Sequence, residues 1–144
     1  MSPAIEALQA LLAAEHRAVY GYGMVGARLT GTPRTQATAL WDAHRSRRDQ
    51  IATLISDAGG EPASPEATYA LPAARTPALL AAALEEGVLA ACVPLAGVRS
   101  ANLRRMAAQG MQEAMIRAVR WSRTAPADAF PGLTPAEVAP APTP

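Results

Sequence analysis

The chain of 144 residues has no lysine, one cysteine, one phenylalanine and few charges of either sign. The single cysteine, Cys92, excludes a disulfide framework and a cysteine-rich zinc module. Thirteen arginines stand against twelve acidic residues, a net charge of +1, and half the chain is hydrophobic. That balance excludes a disordered polyelectrolyte. It also argues against nucleic acid as partner, since no recognition motif is present and aromatic residues do not interleave with the basic ones. A Gly-rich phosphate loop, a nucleophile elbow and a His-x-x-x-His pair are all missing, so phosphoryl transfer, acyl transfer and zincin chemistry lack support. The first twenty residues have no basic start followed by an apolar run, unlike a signal peptide. The uncharged stretch from Gly87 to Val98 falls short of the roughly 20 residues a bilayer crossing needs, and Pro94 interrupts it. A cytoplasmic protein with no membrane association is expected.

What is abundant is alanine, with 35 residues. Alanine-rich segments without β-branched runs favour helices. Helix 1 is expected to start with Ser2 as cap and Pro3 behind it, and to stop at Gly31. Its seam reads Ile5, Leu8, Leu12, Glu15, Val19, Tyr22, Gly26, Leu29, in 3-4 alternation on one face. Helix 2 restarts with Thr32 and Pro33, and its inward face is Ala37, Leu40, Trp41, His44, Arg48, Ile51, Leu54, Ile55, Ala58. Residues 59–76 hold three prolines and no helical period, a long connection whose packing points are expected at Tyr69, Leu71 and Pro72. Helix 3 follows Thr76-Pro77 with Leu80, Leu84, Val88, Ala91, Leu95, Val98 on one face, and Pro94 is expected to kink or split it. Helix 4 carries the arc Leu103, Ala107, Met111, Ala114, Met115, Ala118, Trp121. Phe130 to Leu133 is expected to tuck against the helices, and 134–144 to form a Pro-rich disordered tail. The expectation is an all-α four-helix bundle over 1–133, with its long connection between helices 2 and 3.

Polar residues on apolar stripes are the informative feature. Glu15 sits at the middle of the helix 1 stripe, His44 at the centre of the helix 2 stripe, and Arg48 one turn beyond on the same face. Helices 1 and 2 are joined by a short turn, so Glu15 and His44 fall at about the same height. A charge buried alone would cost several kcal/mol, so these groups must pair, bind an ion or meet water. Two chemistries fit. Glu15 and His44 could be metal ligands in a bundle core, or Arg48 could neutralise Glu15 with His44 bridging them and no metal present. A fixed cation disfavours a second one, which tilts the balance to a buried Glu15–His44–Arg48 cluster without cofactor.

Three features together resemble a small ferritin-like domain family of unknown function found in GC-rich bacteria. They are Glu15-His16-Arg17-Ala18-Val19-Tyr20-Gly21-Tyr22-Gly23, then His44-Arg45-Ser46-Arg47-Arg48-Asp49, then Tyr69-Ala70-Leu71-Pro72 with Phe130-Pro131-Gly132-Leu133. The resemblance spans residues 4–133 and implies a ferritin-like bundle, without an activity to carry over. The wider superfamily takes one Glu each from helices 1 and 3 and Glu-x-x-His from helices 2 and 4. On that pattern Glu15 and His44 match, Trp41 replaces the helix 2 glutamate, and Ile116 stands three residues after Glu113 where a histidine belongs. Glu85 lies at the edge of the helix 3 stripe, and Glu113 is set to pair with Arg117 on a solvated face. The implied protein is non-catalytic or binds a small ligand, with a degenerate di-iron site. The alternative is an iron- or manganese-dependent oxidoreductase using Glu15, His44 and Glu85.

Secondary candidates surround this cluster. His16, Tyr22 and Trp41 could line a pocket, although His16 reads first as a partly exposed surface residue and Tyr22 as plain core. Gly21, Gly23 and Gly26 either allow close helix approach or leave room for a ligand. Met106, Met111 and Met115 read as gap-filling core, and Cys92 as a residue at the core edge without nucleophilic character. A homodimer through an alanine-rich helical face is expected.

Overall fold

The computed structural model describes residues 1–139, and among these the ordered elements are all helical. Four substantial helices run α1 (Pro3–Ala27), α2 (Gly31–Asp57), α3 (Pro77–Ala96) and α4 (Ala101–Ser122), followed by a one-turn α5 (Pro135–Val138). Three of the starts use a hydroxyl cap. Ser2, Thr76 and Ser100 each accept from a backbone N–H three residues on, satisfying a donor that the first turn leaves orphaned. Helix α2 begins two residues earlier than Thr32-Pro33 suggests: Thr30 is its cap, and Gly31 opens the helix at φ +64° instead of closing the previous one. Helix α1 has already ended at Ala27.

Helix α1 packs on α2 and α3, and α3 packs on α1 and α4. Because α3 has neighbours on two sides, its buried arc is wider than one stripe: Ala81, Ala82, Glu85, Leu89 and Cys92 are buried beside Leu80, Leu84, Val88 and Leu95. Pro94 does not split the helix. It lies in the last turn, two residues before the end, and Gly97 follows as C-cap. Helix α3 is long and apolar enough to cross a membrane by length and composition, with mean hydropathy 1.8 over its most apolar window, which the limit drawn at Gly87–Val98 overlooks. Half of that window is buried against its neighbours, as in the core helix of a bundle.

The fourth side of the bundle is loosely packed, its helices meeting through side chains. No Cα atom of α2 comes within 8 Å of one in α4, so a seam runs between these two helices. The core itself falls into two apolar clusters. One gathers Leu8, Leu11, Leu12, Ile51, Ile55, Val88, Leu95 and Ala107, with Met106, Met111 and Met115 packed against it. The other gathers Tyr22, Val25, Ala37, Leu80 and Leu84. His44 and Glu85 stand along their helices between members of the two clusters, and Glu15 lies within the first, between Ala14 and Ala18.

The long connection is clasped to α1 by polar contacts. Gln9 donates to the Glu61 carbonyl at 2.6 Å and accepts from the Ala63 N–H at 3.0 Å, and His16 Nε2 donates to the Ala63 carbonyl at 3.0 Å. Tyr69 and Leu71 pack as expected, with the Tyr69 and Tyr20 rings 5.6 Å apart, but Pro72 is exposed. After α4, Gly132 at φ +87° passes so close to α3 that a Cβ there would meet the Ala90 Cα at 2.9 Å. The expected tail opens with an ordered turn instead: Thr134 and Glu137 cap α5 reciprocally. The rest of that tail, residues 140–144, lies outside the described residues.

Candidate functional site

His44 stands near the middle of α2 with both ring nitrogens engaged. Nδ1 is 2.6 Å from Glu15 Oε2 and Nε2 is 2.9 Å from Glu85 Oε1. All three residues are at most 1% exposed. An ionised carboxylate offers only acceptors, so where both glutamates are ionised the two contacts take two N–H donors, that is, an imidazolium. Burial alone would pull the His44 pKa down, but the hydrogen bonds and charges of Glu15 and Glu85 outweigh it and push the value up to about 9. Tyr22 lies stacked on the His44 ring, centroids 5.2 Å apart, and donates from Oη to Glu85 Oε1 at 2.7 Å. Burial first, then the Glu85 charge, raises the phenol far above its ordinary range and keeps it a donor. Trp121 of α4 donates Nε1–H to Tyr22 Oη at 3.0 Å, which completes a chain Trp121–Tyr22–Glu85–His44–Glu15.

The structure therefore joins Glu15 and His44 but replaces the third member expected of the cluster. Arg48 is not in it. Its side chain points sideways to Asp49, with Nη2 2.8 Å from Oδ1, and stays 27% exposed. Glu85 takes its place, because the edge of the α3 stripe is covered once α1 and α4 both pack on that helix. One oxygen of Glu85, Oε2, is buried with no hydrogen-bond partner among the described residues. His16 is buried rather than on the surface, and Trp41 is half-buried under the Arg45 guanidinium, 4.5 Å from the ring centroid. Tyr22 belongs to the polar chain rather than to plain core. Gly21 serves close packing: a Cβ there would meet the Leu84 side chain at 2.5 Å, while Gly23 and Gly26 face open space. Cys92 is fully buried, not at the core edge, and burial pushes its thiol up to about 11.

Two residues that sequence reasoning passed over shape the seam. Arg47 reaches across from α2 to α4, donating to the Met106 carbonyl at 3.4 Å and lying 3.5 Å from Glu113. It fits because Gly110 has no side chain; a Cβ at that position would collide with the guanidinium. This takes Glu113 away from Arg117, its expected partner. Arg117 instead lines the seam and bears electrostatically on Tyr22. A cavity of about 220 Å³ opens here over the triad, walled by Glu15, His44, Arg47, Gly110, Glu113 and Arg117 among others. Further along, a groove of about 870 Å³ is lined by Leu40, Arg117, Val119, Arg120, Trp121, Arg123 and their α2 neighbours. Arg117 borders both. The signal for this seam was present in the arginine spacing of helix 4, but its meaning depended on which helices pack closely, and α2 and α4 are bridged by the Arg47 side chain instead.

Fold and site together define an all-helical domain built around a buried carboxylate–imidazolium–carboxylate chain. The chain belongs to the family described as a domain of unknown function (DUF4439), which matches residues 7–135. It is also similar to the crystal structure of a conserved hypothetical protein, rv2844, from Mycobacterium tuberculosis: TM-score 0.79, 29% sequence identity, 85% of this chain and 96% of that one covered. No curated protein matches it.

Proposed function

We propose that residues 1–133 form a ferritin-like bundle that acts in the cytoplasm as a non-catalytic, small-molecule-binding protein, with an ionic triad where ferritin-like enzymes hold two metals. The observation that carries this reading is the double pairing of His44. A metal binds imidazole through a nitrogen lone pair, and both nitrogens here are engaged by carboxylate groups, at 2.6 Å and 2.9 Å, which with the raised His44 pKa supports a doubly protonated ring. The rest of the donor set agrees. Trp41 and Ile116 bring no ligand atoms, Glu113 is half-exposed and turned to Arg47, and among the described residues no group of three His, Cys, Asp or Glu is arranged to hold a metal ion. The residues present do not fit a di-metal centre. Binding then falls to the α2–α4 seam, whose size matches small-molecule sites of about 300–1,000 Å³.

The unpartnered Glu85 Oε2 is the one feature that favours the rival, an iron- or manganese-dependent oxidoreductase on Glu15, His44 and Glu85. Elemental analysis of protein grown with added iron and manganese separates the two, with His44→Ala as control. The expected result is the same trace metal in both proteins. Near-stoichiometric metal that disappears in the variant would overturn the proposal.

A further inference from the structure

The groove between α2 and α4 combines two lining chemistries. Arg117, Arg120 and Arg123 bring three guanidinium groups, none of which joins an ion pair among the described residues. Among the described residues, the one acidic side chain of the adjoining cavity outside the triad, Glu113, already faces Arg47. Leu40, Val119 and the Trp121 indole supply the apolar wall. The indole is held in place from behind, since its N–H is bonded to Tyr22 Oη at 3.0 Å. Arg123 sits at the C-cap of α4 with φ +61°, a left-handed conformation that glycine occupies with less strain.

The geometry points to this groove as a binding site for an amphipathic monoanion, a small carboxylate or sulfonate carrying an acyl or aromatic body. The anionic group would meet Arg117 with Arg120 or Arg123, in the fork geometry guanidinium offers an oxyanion, and the apolar body would lie on Trp121, Leu40 and Val119. This rests on the small-molecule reading above and adds the charge and shape of the ligand.

The test uses the full chain with Trp41→Phe, which leaves Trp121 as the sole tryptophan. Decanoate and anilinonaphthalenesulfonate are titrated against Trp121 emission, with decanol as the uncharged control. Saturable binding of an anion is expected, at least tenfold tighter than decanol. Arg117→Gln with Arg120→Gln should weaken the anion tenfold or more and leave decanol unchanged; thermal melts confirm that the variants fold. Decanol binding as tightly as the anions, with no effect of the arginine variants, overturns the anion assignment but leaves a ligand-binding groove. No Trp121 response to any of the three compounds removes both readings. A change of oligomeric state in the arginine variants, read by sedimentation, reassigns the seam to a second copy of the chain and also overturns the inference.

Discussion

The imidazolium of His44 lies between two buried carboxylates, and the direction of its pKa shift fixes how stability should follow pH. Its pKa rises from 6.5 in the unfolded chain to about 9 in the fold. A raised pKa means that the folded state holds the proton more tightly. The triad's contribution is therefore complete below pH 6.5, declines from 6.5 to 9 and is gone above 9, with a slope of up to about 1.4 kcal/mol per pH unit. Denaturation midpoints measured across that window should fall for the natural chain and stay flatter for His44→Gln. His44→Ala strands two buried carboxylates and should cost about 3–5 kcal/mol in equilibrium unfolding. Glu15 and His44 were legible from sequence because each sits at the centre of a stripe where a charge has no reason to be. Glu85 was legible only as the third ligand of the metal reading, at the stripe's edge; its full burial depends on α3 having two helical neighbours, which a single-stripe reading does not show. Arg48 misled for the opposite reason: a long side chain one turn from His44 can swing out to Asp49, and solvent is where it goes.

Helices α1 and α4 carry their own tests. Gly21 and Gly23 lie two residues apart in α1, yet they should respond oppositely to alanine. At Gly21 the new Cβ overlaps Leu84, so Gly21→Ala should destabilise by about 1–3 kcal/mol. At Gly23 nothing lies within 4 Å, so Gly23→Ala should stabilise by about 0.5–1 kcal/mol through helix propensity. Arg123→Gly relieves the left-handed C-cap and should raise stability by up to about 1 kcal/mol while weakening anion binding, a trade visible in paired melts and titrations. The helices themselves were readable from Ser2, Thr76, the Pro residues behind them and the 3-4 spacing of the apolar seams. The α1–α2 turn was harder: Gly31 reads as a stop by residue type, whereas its positive φ begins the next helix.

On the scale of the whole molecule, the architecture combines one closed polar chain with one loosely packed seam. The chain runs from Trp121 through Tyr22, Glu85 and His44 to Glu15, so three helices and the groove wall share a single hydrogen-bonded network. Tyr22→Phe breaks the chain between Trp121 and Glu85 and leaves the Trp121 N–H without its partner. It should lower stability by about 1–3 kcal/mol and alter Trp121 emission in the Trp41→Phe background. Helix number and the long connection could be read from the chain, but the loosely packed side could not. Stripes show which faces seek cover, and they do not show that α2 and α4 stay more than 8 Å apart at every Cα.

The central claim is that His44 is a doubly protonated bridge rather than a metal ligand. Nitrogen-15 NMR of the histidine ring at neutral pH tests it directly, with His16→Gln used to assign the two histidines. The account predicts that both His44 nitrogens carry protons and that their shifts do not move when zinc or iron(II) is added. A His44 ring with one unprotonated nitrogen that shifts or broadens stoichiometrically with metal would contradict it.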